Sequence, residues 1–391
     1  MLIYLTVAVV ILIGIIQFDF SKKNKSEDKI LYWFICVLLI CIAGFRYRVG
    51  GDTLSYFDNY SRWPTINDLA TIDYTVFTYQ PLWYFFAAIC KLISPDFYIL
   101  QLFQASIVCI ITFWFIKKYT RFKYLAVLLW YYGVYFYFTM EIMRESIAVS
   151  IWMLAVNSML RKRYIKYYIY ATIAFFMHLS AAILFIMPIL YFLVDRSFKN
   201  IFIYFILLFI LLNILGLDFF LNLFPENMSL KFLAYQSLGV YWPTFIKSSL
   251  HALAIYFVSN VYTKLYCDKT AFIPFLKIEI LILLSTGLFY MTERFVNYFL
   301  LFEIVVFSQA FYLFCIKGYH YNTTKLFISF SLIFVLKTYY YGIDQSHFSY
   351  GTRFYNRIIP YETIFDPKSH PWRENIYYNS VYNMQITQTI N

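Results

Sequence analysis

Charge is what this chain has least of. Asp, Glu, Lys and Arg make up 14% of its 391 residues, where a soluble chain carries about a quarter. It holds only 11 Gly and 10 Pro, too few for a low-complexity or linker-like polypeptide. Its cysteines, Cys36, Cys41, Cys90, Cys109, Cys267 and Cys315, show no C-x-x-C spacing. They read as small buried hydrophobes, which argues for neither a disulfide framework nor a metal site. No H-E-x-x-H, G-x-S-x-G or G-x-x-x-x-G-K-[S/T] segment occurs, so zinc-hydrolase, serine-hydrolase and P-loop chemistry have no support.

Apolar and aromatic residues take that place. The chain is 62% hydrophobic and carries 44 Phe, 40 Tyr and 8 Trp, with a mean hydropathy of +0.63. Surface-to-volume scaling leaves a soluble fold no way to hide so much apolar surface, so the composition predicts a protein of the lipid bilayer. About 20 apolar residues cross the ~30 Å hydrocarbon core as a helix. By that measure the spans fall at 2–18, 30–45, 97–116, 122–139, 143–160, 165–178, 180–194, 200–216, 244–262, 273–290, 295–315 and 325–341. This is an all-α polytopic architecture of about 12 transmembrane helices. Residues 2–18 read as a retained first span with its N-terminus outside.

The net charge of +11 does not form one basic face, so nucleic acid is not an expected partner. The cations sit in short clusters between apolar runs, as orientation signals do. Three such clusters, at Lys22/Lys23/Lys25/Lys29, Lys117/Lys118/Arg121/Lys123 and Arg161/Lys162/Arg163/Lys166, all face inward if segment 81–93 does not cross. Residues 46–96 then form one external loop carrying a re-entrant or interfacial helix at 81–93, and 217–243 forms another external, amphipathic stretch. The remaining ambiguity is 165–194, which at ~1.5 Å per residue would be a ~45 Å helix, long for one span. His178, Ser180 and Pro188 interrupt it, and two spans are expected. Residues 342–391 are polar enough to form an external soluble tail, a lid or cap over the site.

The unusual polar groups converge on the external side of this topology. After the second span comes Gly44-Phe-Arg46-Tyr-Arg48-Val-Gly50-Gly51-Asp52-Thr-Leu-Ser-Tyr56. Arg46 and Arg48 read either as interfacial anchors or as a guanidinium clamp beside a Gly-Gly turn that admits a phosphate. Glu141, Arg144 and Glu145 share one helical face, as a local ion pair or as groups facing a cavity. His178 is either a satisfied core histidine or a base at a helix end. His251 has Lys247 one turn away. Glu293 and Arg294 are adjacent, so on a helix they point apart and cannot simply pair.

At these residues the sequence resembles the EpsG-like membrane proteins of exopolysaccharide and capsule clusters, related to Wzy-type O-antigen polymerases. The resemblance rests on Phe45-Arg46…Gly50-x-Asp52…Tyr56, Arg144-Glu-Ser-Ile-Ala148, Phe175…His178-x-Ser180, Glu293-Arg294 and Pro360-Tyr361. Gly51 departs from the larger residue common at that position. The resemblance implies a GT-C-like glycosyltransferase at the external face of a bacterial cytoplasmic membrane. Its substrate would be a polyprenyl-pyrophosphate-linked oligosaccharide, with a flippase and a chain-length regulator of the same pathway as partners. The leaving pyrophosphate asks for fixed cations, for which Arg46, Arg48, Arg144 and Arg294 are the candidates, with no metal and no cofactor expected. The base is sought among Asp52, His178 and Glu145. A flippase or exporter of the same lipid is the rival. It would need a cavity reachable from both sides, whereas these charges cluster at one end of their helices and no internal repeat shows.

Overall fold

Long uninterrupted apolar runs leave the backbone one inexpensive way to satisfy its own polar groups, and the described chain is helical almost throughout. The computed structural model describes residues 2–20, 25–71, 79–195, 203, 242–265, 271–286, 292–316, 358–371 and 374. The predicted span 200–216 apart from Ile203, the predicted span 325–341, the predicted external stretch 217–243 up to Tyr241, and most of the predicted tail lie outside these residues. In chain order the helices are α1 (Leu2–Gly14), α2 (Lys25–Gly44), α3 (Gly51–Tyr60), α4 (Pro81–Ile93), α5 (Phe97–Tyr119), α6 (Lys123–Trp130), α7 (Phe136–Met140), α8 (Met143–Leu160) and α9 (Tyr164–Met177). They continue with α10 (Leu179–Asp195), then α11 (Trp242–Leu265), α12 (Ile273–Ser285), α13 (Glu293–Val296) and α14 (Leu300–Ile316). A π-helical stretch, Tyr131–Tyr135, joins α6 to α7. Among the described residues the only β-type pairings are isolated bridges of Thr363 with Arg46 and Asp366.

Among the described residues, two helices, Leu2–Asp19 and Phe97–Tyr119, are each long and apolar enough to cross a hydrocarbon layer. Pro81–Ile93, Leu179–Asp195 and Leu300–Phe311 are apolar but shorter. Helix α4 has the limits the sequence predicts, opening on Pro81 at its first turn, where the missing N–H costs nothing. Its 13 residues reach about 20 Å, short of the ~30 Å hydrocarbon core. Lys91 Nζ near its end donates to the Trp63 carbonyl at 2.6 Å, which ties α4 to the loop before it.

The break at His178 is a chain reversal. Its backbone is extended, φ −153° and ψ 133°. Tyr167 Oη donates to the Leu184 carbonyl, Tyr168 Oη reaches the Phe185 carbonyl at 3.4 Å, and the Tyr168 and Phe185 rings stack. Residues 17 apart would be separated by about 25 Å on one straight helix. Helices α9 and α10 are therefore antiparallel arms of a hairpin, with His178 at its tip.

The interior is aromatic. Trp83, Trp130 and Trp152 are wholly buried, the Phe275 and Phe302 rings stack 4.4 Å apart, and Trp152 Nε1 donates to the Tyr298 carbonyl at 2.9 Å. The outside is apolar too. Exposed large hydrophobes recur at helical spacing as Ile165, Ile169, Ile173 and Phe176 on α9, and as Ile246, Leu250, Leu253 and Phe257 on α11. Continuous apolar stripes of this kind are costly in water and suit a hydrocarbon environment.

Candidate functional site

The loop leaving α2 is organised around Arg46, whose side chain is completely buried. Its Nε donates to the Val49 carbonyl at 3.0 Å, Nη1 to the Ala43 carbonyl and Nη2 to Thr53 Oγ1 at 2.9 Å. Burial draws its pKa down to about 10, so it remains a cation at neutral pH. The guanidinium thus ties both ends of the loop together from inside. Thr53 Oγ1 in turn donates to the Met140 carbonyl at 2.6 Å. The buried carboxylate of Glu141 accepts from the N–H groups of Gly51 at 2.6 Å and Asp52 at 3.1 Å. It caps the free N–H groups of α3, where a negative charge is favoured.

Gly50 is the hinge of this arrangement. Its φ of 105° is disfavoured for any residue with a side chain, and a Cβ there would collide with the Met140 carbonyl oxygen. Gly50→Ala should therefore detach the loop from Glu141 and lower the melting temperature. A backbone misfit of this type costs roughly 1–3 kcal/mol, and an unchanged thermal unfolding profile in detergent would refute it.

Arg48 points elsewhere. It adopts a positive φ of 50° and forms a bidentate pair with Glu374, Nε to Oε1 at 2.7 Å and Nη2 to Oε2 at 2.8 Å. Its guanidinium lies 4.9 Å from the Phe57 ring centroid. The C-terminal segment that supplies Glu374 also pairs with the loop backbone. Tyr47 N–H donates to the Glu362 carbonyl at 2.8 Å and Ile364 N–H to the Phe45 carbonyl at 3.0 Å, while Tyr361 Oη donates to the Ile42 carbonyl at 2.9 Å. Residues 358–371 and Glu374 thus strap the loop.

Arg144, in the first turn of α8, is held on three sides. Nε donates to Tyr56 Oη at 3.1 Å, Nη1 to Gln80 Oε1 at 3.2 Å, and the guanidinium stacks 4.0 Å over Tyr79. These partners come from α3 and from the residues just before α4, so the external loop of the sequence reading packs onto α8 here. Asp52 lies within electrostatic range of Arg144.

One residue on, Glu145 is buried and paired. Arg294 Nη1 donates to Oε2 at 3.1 Å and Asn297 Nδ2 to Oε1 at 2.9 Å. Glu293 turns instead to Lys247, at 3.7 Å. His178, at the hairpin tip, places Nδ1 2.6 Å from Ser180 Oγ, which lies 2.9 Å from Tyr298 Oη. Both Arg144 and Arg294 act electrostatically on His178. Tyr137 stands within range of Glu145, Arg294 and Asp52 together. Asp52, Arg144, Glu145, His178 and Arg294, from separate stretches of sequence, therefore share one polar region. Arg46 lies behind it inside the loop, and Arg48 is engaged with the strap.

A family model matches residues 29–363, and its description is the EpsG family. The chain belongs to the EpsG family. No curated protein and no solved structure matches it. The matched stretch runs from the second turn of α2 into the strap and includes Asp52, Arg144, Glu145, His178 and Arg294. EpsG membership and the two long apolar helices are consistent with a membrane-associated protein.

Sequence reading passed over Tyr79, Gln80, Asn297 and Tyr298, which hold the charged groups in place. None stands in a charged motif, and each becomes visible only once its distant partner is beside it. It also left His251 with Lys247 for company, whereas His251 Nε2 lies 3.0 Å from Glu303 Oε1.

Proposed function

We propose that this EpsG-family protein joins lipid-linked oligosaccharide repeat units into a surface polysaccharide. It acts as a GT-C-like glycosyltransferase with about 12 transmembrane helices, its site at the external face of a bacterial cytoplasmic membrane. Family membership supports the link to Wzy-type repeat-unit polymerisation. The observation that carries the reading is the gathering of Arg144 and Arg294 with Asp52, Glu145 and His178 in one polar region of an otherwise apolar helical protein. Ionisable groups set among membrane helices are costly and tend to mark function.

In this reaction a hydroxyl of the acceptor repeat unit attacks the anomeric carbon of the donor glycan. The new glycosidic bond forms as the bond to the lipid pyrophosphate breaks, and the pyrophosphate departs with the electron pair. A single displacement inverts the anomeric centre. Arg144 and Arg294 stabilise the charge growing on the pyrophosphate, since fixed donors in a water-poor site need no reorganisation. Arg48, paired with Glu374, fixes the strap to the loop, and Arg46 holds that loop from inside.

Asp52 is the base that removes the acceptor hydroxyl proton. Glu145 has one oxygen on Asn297 and the other on Arg294, which suits it to positioning the arginine. His178 has Nδ1 committed to Ser180 and orients the acceptor through its other nitrogen.

The test is polymerisation by purified protein in detergent, given a pyrophosphate-linked repeat unit without nucleotide or added divalent metal. A ladder of products is expected, lost in Asp52→Asn. Movement of the lipid between liposome leaflets with no ladder would overturn the reading in favour of a flippase or exporter.

A further inference from the structure

The most unusual buried group in the described structure lies outside the site above. Glu279, on α12, is completely buried; neither of its carboxylate oxygens meets a donor group, and its hydrogen-bonding neighbour is another carboxyl, that of Glu303. Across from it stand Glu303 of α14 and His251 of α11, with His251 Nε2 3.0 Å from Glu303 Oε1. One ligand atom from each of the three lies within 4.8 Å of the others.

Buried polar groups are almost always satisfied, and a buried carboxylate is paired, protonated or bound to a metal. A proton shared between Glu279 and Glu303 would satisfy at most one oxygen of each. A divalent cation would neutralise both carboxylates at once, with His251 as a neutral ligand. We propose that His251, Glu279 and Glu303 form a divalent-cation site that clamps α11, α12 and α14 together.

The donor set of one imidazole nitrogen and carboxylate oxygens suits Mn2+ or Zn2+. Ca2+ prefers six to eight oxygens, and Mg2+ keeps several waters. Access is graded: the side chain of His251 is 34% exposed and that of Glu303 12%, while Glu279 closes the interior end. The end of α12 is also joined to α11, one turn from His251, by Thr286 Oγ1 donating to Ser248 Oγ at 2.8 Å. Lys247, one turn from His251 on α11, reaches Glu293 beside Arg294. The cation therefore braces the helices around Arg294 without touching the reacting atoms. It stands independently of the polymerase reading.

The test measures the metal and not the polymer. The full-length protein in nanodiscs is stripped with chelator, dialysed against Mn2+ or Zn2+, and its metal content counted by mass spectrometry. An equimolar ion is expected in the wild type. Glu279→Gln, which keeps shape and removes charge, should lower affinity by more than about tenfold, since even groups behind a metal ligand are worth that much. Asp366→Asn, at an exposed site, should bind as the wild type does.

In the Mn2+ form, pulsed electron resonance should show an imidazole nitrogen coupling that disappears in His251→Gln. That substitution, at a partly exposed position, keeps the test open if Glu279→Gln does not fold. Wild-type protein that retains no Mn2+ or Zn2+ overturns the proposal and leaves a proton-sharing pair. Undiminished binding in the folded variants overturns it as well.

Discussion

Arg144→Ala is expected to reduce polymer formation by about 10²–10³-fold, the usual effect of removing one fixed donor from a developing oxyanion. Arg144→Lys should fail nearly as badly. The guanidinium uses its plane to stack on Tyr79 and its separate nitrogens to reach Tyr56 and Gln80. An ammonium is a compact, strongly hydrated charge without that fork, so the exchange is not conservative. The arginine thus arrives at the substrate already oriented, and the loss should fall on turnover more than on KM. Initial rates over a range of donor lipid, with elution profiles to show that each variant is folded, decide it. Full activity in Arg144→Lys would place this residue outside the pyrophosphate site.

The second large effect concerns the Glu145–Arg294 pair. Glu145 is buried while the Arg294 side chain is 44% exposed, so the two partners are not equivalent. Arg294→Ala strands a carboxylate in the interior with only neutral partners such as Asn297 and Ser180 recorded beside it. Breaking a buried pair from one side costs about 3–5 kcal/mol, and the half-exposed arginine places this case toward the lower end. Glu145→Gln in the same background removes the stranded charge and retains an acceptor for Asn297. Stability should then recover by more than half, while polymer formation should not, because Arg294 is still missing. Thermal unfolding of the two single variants and the double variant closes the cycle. Independent, additive losses would mean that the ion pair contributes nothing to the fold.

How much of this was legible before the structure differs from element to element. The limits of α4 follow from Pro81 at its start and from Ser94 after the apolar run, both local signals. The reversal at His178 was half legible: its polar residues marked a break, but a kinked helix and a hairpin share that pattern. Tyr167 bonding to Leu184 decides between them. Asp52, Arg144, Glu145, His178 and Arg294 stood out because charge is rare in this chain.

Their roles did not stand out. Arg46 and Arg48 lie two residues apart and read alike. One is turned inward onto Ala43, Val49 and Thr53, and the other outward onto Glu374, because Gly50 lets the loop close around the first. Nor did any motif mark His251, Glu279 and Glu303, which meet from three helices.

By itself the sequence determined the helical class, the scarcity of charge and the choice of residues worth attention, since these depend on composition and near-neighbour spacing. Only the tertiary structure decided which arginine is internal, which carboxylate is paired and which is left without a donor. Those outcomes depend on desolvation and on how the chain folds back on itself, with partners from 3 to 326 residues apart, and no local pattern encodes either.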